Sequence, residues 1–121
     1  MTTFHNVLRF LQGTQGVPEV TVEELKARLD RKEKIFILDV REPHEYEVCR
    51  LPGSKLIPLG ELPTKINELN PVDTIIVHCR AGVRSAQAVQ VLQKEGFKNV
   101  ASLAGGINAW AERVDPSMPI Y

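Results

Sequence analysis

Thr74-Ile75-Ile76-Val77-His78-Cys79-Arg80-Ala81-Gly82-Val83-Arg84-Ser85 is a run in which one kind of sequence gives way to another. Its first four residues are apolar or β-branched and bounded by polar ones, the pattern of a buried strand. Beyond it, Ala86, Val89, Val91 and Leu92 recur roughly at helical spacing, and Gly96 supplies a helix stop. Six residues, Cys79 to Arg84, then connect strand to helix, with Ser85 placed to cap the helix. A cysteine thus stands at the carboxyl end of a strand, in a tight loop that opens into a helix.

That placement has chemical consequences. Backbone N–H groups of such a loop, with the amino end of the following helix, converge on an anion. Arg80 and Arg84 add positive charge beside the sulfur. A free thiol titrates near ~8.5, and such surroundings lower that value by one to several units. Cys79 is therefore the candidate nucleophile, as a thiolate. The competing reading is a buried, inert cysteine flanked by solvated arginines, since unpaired cysteines are commonly buried. The nucleophile reading requires inward-pointing amides and a sulfur within reach of solvent.

At 121 residues the chain fits one domain with a core of its own. Fifteen basic and fifteen acidic residues balance to zero, which gives no electrostatic footprint for nucleic acid or an anionic membrane. No apolar run approaches the ~20 residues of a membrane-spanning helix, and no signal peptide opens the chain. The expectation is a cytoplasmic protein. Cys49 and Cys79 form no C-x-x-C pair, and His5, His44 and His78 share no ligand spacing, so neither a metal nor a cofactor is expected.

Along the chain, Phe4, Val7, Leu8 and Leu11 mark one face of a short helix, followed by a linker at 13–18. This arm, 1–17, either packs on the domain or docks a partner; residues 18–121 form the domain, ending in an extended tail. Glu19-Val20-Thr21 reads as a very short strand, with Thr21 and Glu24 at capping-box spacing for the next helix. Ile35 to Val40 reads as a strand buried on both faces, with Asp39 and Arg41 at its carboxyl end. A short helix from Pro43, a strand at 55–57, a helix outlined by Leu59, Leu62, Ile66 and Leu69, and a strand at 99–103 complete the alternation. Gly105-Gly106 leads into a last helix bearing Ile107 and Trp110. Alternating strands and helices imply an α/β domain with a parallel sheet, whose ligands gather at the strands' carboxyl ends. Asp39, Arg41 and Cys79 all fall at that edge.

Two anionic chemistries suit a thiolate in a basic cradle. A cysteine phosphatase (or an arsenate reductase of similar fold) places five residues between the cysteine and a phosphate-gripping arginine. That position is Ser85 here, and Arg84 comes one residue early. The smaller ring suits one added sulfur atom, as a persulfide, better than a tetrahedral phosphate.

The chain resembles a single rhodanese-homology domain. The resemblance lies in Leu38-Asp39-Val40-Arg41-Glu42 with Glu45 and Tyr46, in Leu51-Pro52-Gly53-Ser54, in His78–Ser85, and in Leu103-Ala104-Gly105-Gly106-Ile107 with Trp110. It implies the family's five-stranded parallel sheet, order 1-5-4-2-3, with helices on both faces. It also implies sulfurtransferase chemistry. Cys79 takes sulfane sulfur from an anionic donor such as thiosulfate, or from a cysteine-desulfurase persulfide. Loop groups of Arg80, Ala81, Gly82, Val83, Arg84 and Ser85 hold it, and Arg80 and Arg84 steer the donor. Asp39 and Arg41 either brace the loop or form a strand-end ion pair. Cys49-Arg50 departs from the family's usual Gly-His pair. A closer likeness is to the carboxyl-terminal domain of enzymes that adenylate the sulfur carriers of molybdopterin and thiamine synthesis. It rests on 41–47, 56–62 and the ending Asp115-Pro116-Ser117 with Pro119 and Tyr121. That likeness implies a sulfur-carrier protein and an adenylating enzyme as partners. A non-catalytic docking module is the remaining alternative.

Overall fold

A computed structural model of the chain describes residues 16–121. The helix expected within Met1–Gln12, and positions 13–15 of the linker after it, lie outside the described residues. Five strands form one sheet, β1 (Glu19–Val20), β2 (Phe36–Asp39), β3 (Lys55–Leu56), β4 (Ile75–His78) and β5 (Val100–Leu103). All pairings are parallel and the order is β1-β5-β4-β2-β3, as the resemblance implied. Four helices are longer than one turn: α1 (Val22–Asp30), α2 (Pro43–Val48), α4 (Val83–Lys94) and α5 (Gly106–Arg113). A single turn, α3 (Leu62–Lys65), lies between 3-10 turns at Leu59–Glu61 and Ile66–Glu68. Among the described residues, no helix is long and apolar enough to cross a membrane.

Strand periodicity sorts the core into two layers. Leu38, Val40, Ile75 and Val77 pack with Leu62, Val89 and Leu92 on the α3–α4 side. Ile37 and Ile76 pack with Leu25, Ile107 and Trp110 on the α1–α5 side. Cys79 continues the alternation of Ile75 and Val77, and so faces α4. Burying a Leu25 or a Leu92 completely contributes ~1.5–3 kcal/mol.

Local chemistry sets the element ends. Thr21 Oγ1 accepts from the Glu24 N–H (3.0 Å), and the Glu24 carboxylate accepts from the Thr21 N–H (3.3 Å), the reciprocal cap expected for α1. The segment 59–69 does not form the single helix expected. Pro63 has no N–H to donate back to the Leu59 carbonyl, so the chain makes 3-10 turns around one α turn.

The strand order reverses between β4 and β2, whose carboxyl ends lie side by side, with Asp39 opposite His78. This is the position at which open α/β sheets bind their ligands.

Candidate active site

The cysteine loop is shorter than expected, because α4 begins at Val83 rather than Ser85. Gly82, with φ of 116°, is the residue that turns the chain into the helix, a backbone state that disfavours any side chain. Ser85 is therefore inside the first turn and does not cap it. Its hydroxyl instead lies 3.1 Å from the Gly82 carbonyl, 3.4 Å from Cys79 Sγ and 2.7 Å from Ser102 Oγ of β5.

Two amides point at the sulfur. The N–H of Gly82 donates to Cys79 Sγ at 3.1 Å and that of Ser85 at 3.4 Å. The carbonyls of the same loop face the other way. Cys79 O accepts from the Ile107 N–H (2.9 Å) and Arg80 O from the Asn108 N–H (3.1 Å), at the amino end of α5. In a trans peptide the N–H opposes the C=O, so this anchoring turns the Arg80 and Ala81 amides away from α5. Gly106 makes the close approach feasible. A Cβ there would lie 2.6 Å from Cys79 O and overlap Arg80 O. Gly106 thus lets the amino end of α5 hold the loop in shape from outside.

Ser85 Oγ accepts from Cys79 Sγ, donates to the Gly82 carbonyl and shares a hydrogen bond with Ser102 Oγ. The expectation of an open thiol is corrected, because Cys79 is only 1% exposed. The same wrapping that turns amides inward covers the sulfur. Arg80, Ala81 and Val83 form the exposed rim of the loop.

The arginines differ sharply. Arg84 makes a two-pronged pair with Glu45 of α2, at 2.6 and 3.0 Å, so its charge is already met. Hydrogen bonds from Arg84 and from the Glu42 N–H, against the opposing effect of burial, hold the Glu45 carboxyl at about 2. Arg41 is fully buried with every N–H placed. Its Nε and Nη2 donate to the Asp39 carboxylate, Nη2 also to Cys49 O (2.6 Å), and Nη1 to Glu45 O (3.3 Å) and Tyr121 Oη (2.7 Å). Burial opposes its charge, but Asp39 and Tyr121 more than compensate and raise its pKa. His78, buried behind the loop, is pushed down to about 4 by burial and by Arg41, against the pull of Asp39, and is neutral at pH 7.

Of the expected site residues, two therefore contact the Cys79 sulfur directly, Gly82 and Ser85. Asp39 and Arg41 form a buried strand-end pair, tied to the site through Glu45 and Tyr121. Residue reading missed Tyr121, Ser102 and the ion-pair role of Glu45. Tyr121 returns from the end of the tail, where its hydroxyl accepts from Arg41 and donates to Glu45 Oε2 (2.8 Å). Burial, and the Glu45 carboxylate beside it, lift the phenol to about 12. Cys49 is a free, partly buried thiol, 3.7 Å from Pro119 O.

Residues 21–113 match the family model of the rhodanese-like domain. A "Sulfurtransferase" of Allochromatium vinosum is 34% identical over 95 residues, covering 78% of this chain and 89% of that protein. "Adenylyltransferase and sulfurtransferase MOCS3" of Arabidopsis thaliana is 37% identical, covering 84% of this chain but 25% of that protein. Several curated relatives are longer, and the chain spans between 25% and 56% of them. Among solved structures, a rhodanese-like domain protein of Staphylococcus aureus superimposes with a TM-score of 0.75 at 32% identity, covering 86% of this chain and 98% of that one. The chain belongs to the rhodanese-like domain family.

Proposed function

We propose that the chain is a sulfurtransferase that carries one sulfane sulfur on Cys79. The observation that supports this most is the pair of amides, from Gly82 and Ser85, aimed at Sγ while the loop's carbonyls are tied to α5. Fixed N–H dipoles around a sulfur stabilise the thiolate before transfer and the persulfide after it.

In the first half-reaction the Cys79 thiolate attacks the outer sulfur of thiosulfate. A new S–S bond forms, the donor's S–S bond breaks, and its electron pair leaves on sulfite. No further oxidant or reductant is required. A protein persulfide donor, such as a cysteine desulfurase carries, reacts in the same way and leaves as a thiolate. In the second half-reaction a thiophilic acceptor (cyanide in vitro) takes the outer sulfur and returns Cys79 to the thiolate. With Cys79 only 1% exposed, transfer requires the exposed rim of the loop at Arg80, Ala81 and Val83 to move aside for the donor.

As acceptor we propose the activated terminus of a ubiquitin-like sulfur carrier, supplied by an adenylating enzyme acting in trans or on the same polypeptide; longer relatives named as adenylyltransferase and sulfurtransferase, and one named as a putative sulfur carrier protein, support a partner of this kind. Molybdopterin synthesis is one pathway that uses such carriers. Two free thiols suit a reducing compartment, and we place the protein in the cytoplasm on that basis.

The test is intact mass spectrometry after incubation with thiosulfate. The expected result is one added sulfur, removed by cyanide and absent in Cys79→Ala. No adduct, or an undiminished adduct in Cys79→Ala, overturns the proposal.

A further inference from the structure

We propose that Tyr121 is a positioning residue that presents Arg80 to the anionic donor, an inference that rests on the sulfurtransferase reading. The two arginines beside Cys79 are not equivalent. Arg84 is spent on both oxygens of Glu45. Arg80 is exposed, and among the described residues it has no carboxylate partner. Its described side-chain contact is the face of the Tyr121 ring, with Cζ 5.0 Å from the centroid. Arg80 is thus the loop's uncompensated charge.

A free arginine side chain loses up to ~2 kcal/mol of rotamer entropy when a ligand fixes it. Stacking on an aromatic face orders the guanidinium in advance and leaves its edge N–H groups free for an anion. The ring itself is held from two sides. Arg41, locked in the fold at the end of β2, donates to its hydroxyl, and that hydroxyl donates to Glu45, which in turn grips Arg84 of α4. Tyr121 therefore ties Arg80 to the fixed end of β2 and to the helix that carries Ser85. The tail acts on the loop through this one side chain.

The experiment measures initial rates of persulfide formation by intact mass at graded donor concentrations. The donors are thiosulfate, a dianion, and benzenethiosulfonate, a monoanion. Tyr121→Ala and Arg80→Gln are each expected to raise the half-saturating thiosulfate concentration about two- to fivefold, with a smaller rise for the monoanion and a largely preserved maximal rate. The double variant is expected to match Arg80→Gln alone, because the two side chains act as one unit. Tyr121→Phe, which keeps the ring but loses both hydroxyl bonds that hold it, is expected to recover only part of the loss. Tyr121→Leu keeps bulk without a π face and carries the test if Tyr121→Ala does not fold. Equal effects on both donors, additive effects in the double variant, or a loss confined to the maximal rate would overturn the inference. A wild-type protein that takes sulfur from neither donor overturns the sulfurtransferase reading instead, and the two failures are distinguishable.

Discussion

Replacing Glu45 by glutamine removes the charge that holds Arg84 and leaves the side chain's shape intact. The pairing of Glu45 brings its carboxyl from 4.5 to about 2. At ~1.4 kcal/mol per pH unit, this corresponds to about 3 kcal/mol of stability at pH 7. Arg84 is 33% exposed on its side chain, so water recovers part of the loss in the variant and the expected cost is about 2 kcal/mol. The sign of the pH dependence follows from proton uptake. Between pH 4.5 and about 2 the unfolded chain binds a proton at Glu45 and the folded chain does not, so the contribution falls as pH falls through that window. Urea unfolding of both proteins at pH 7, 5 and 3 reads it. The gap between them is expected to be widest at pH 7, and roughly half of it is expected to be gone by pH 3. His78 adds an acid loss between its ordinary 6.5 and about 4, but both proteins carry it and it cancels in the difference. A gap below ~0.5 kcal/mol at pH 7, or one that does not change with pH, would refute the reasoning.

Gly106→Ala places a methyl group against the Cys79 and Arg80 carbonyls at a positive φ, and is expected to cost about 2–4 kcal/mol in urea unfolding and to slow sulfur loading. An unchanged loading rate would mean that α5 does not shape the loop. Under limiting iodoacetamide, peptide mapping is expected to show Cys49 alkylated well before Cys79, because only the latter is nearly covered; faster modification of Cys79 would contradict the closed geometry. Raising ionic strength from ~0.05 to ~0.5 M is expected to raise the half-saturating thiosulfate concentration several-fold, since the uncompensated Arg80 is solvent-exposed and readily screened. A salt-independent value would remove Arg80 from donor capture.

Much of the fold was legible because it rests on local pattern. The continuous apolar, β-branched run Ile75-Ile76-Val77 assigned β4 to a buried sheet, and Thr21 with Glu24 announced α1 from four adjacent residues. The broken helix at 59–69 was also within reach, since Pro63 lies inside the apolar spacing that suggested it. The start of α4 was not. Gly82 looks like a loop glycine until its φ is known, and it turns the chain into the helix two residues before Ser85. The partners at the site were the least legible. Tyr121 lies 80 positions from Arg41 and Glu45 lies 39 from Arg84, and no periodicity links residues so far apart. Gly105-Gly106 did carry a signal, because a glycine pair opening a helix marks a close backbone approach; what approaches it is visible only in three dimensions.

The account depends on a sulfur that is held at Cys79 and then given up. Protein loaded with thiosulfate, freed of excess donor and mixed with cyanide tests this in one turnover. The expected result is one thiocyanate per chain, with the peptide that contains Cys79 returning from persulfide to thiol and Cys49→Ser behaving as wild type. Thiocyanate well below stoichiometry, or sulfur found on Cys49 in place of Cys79, would contradict it.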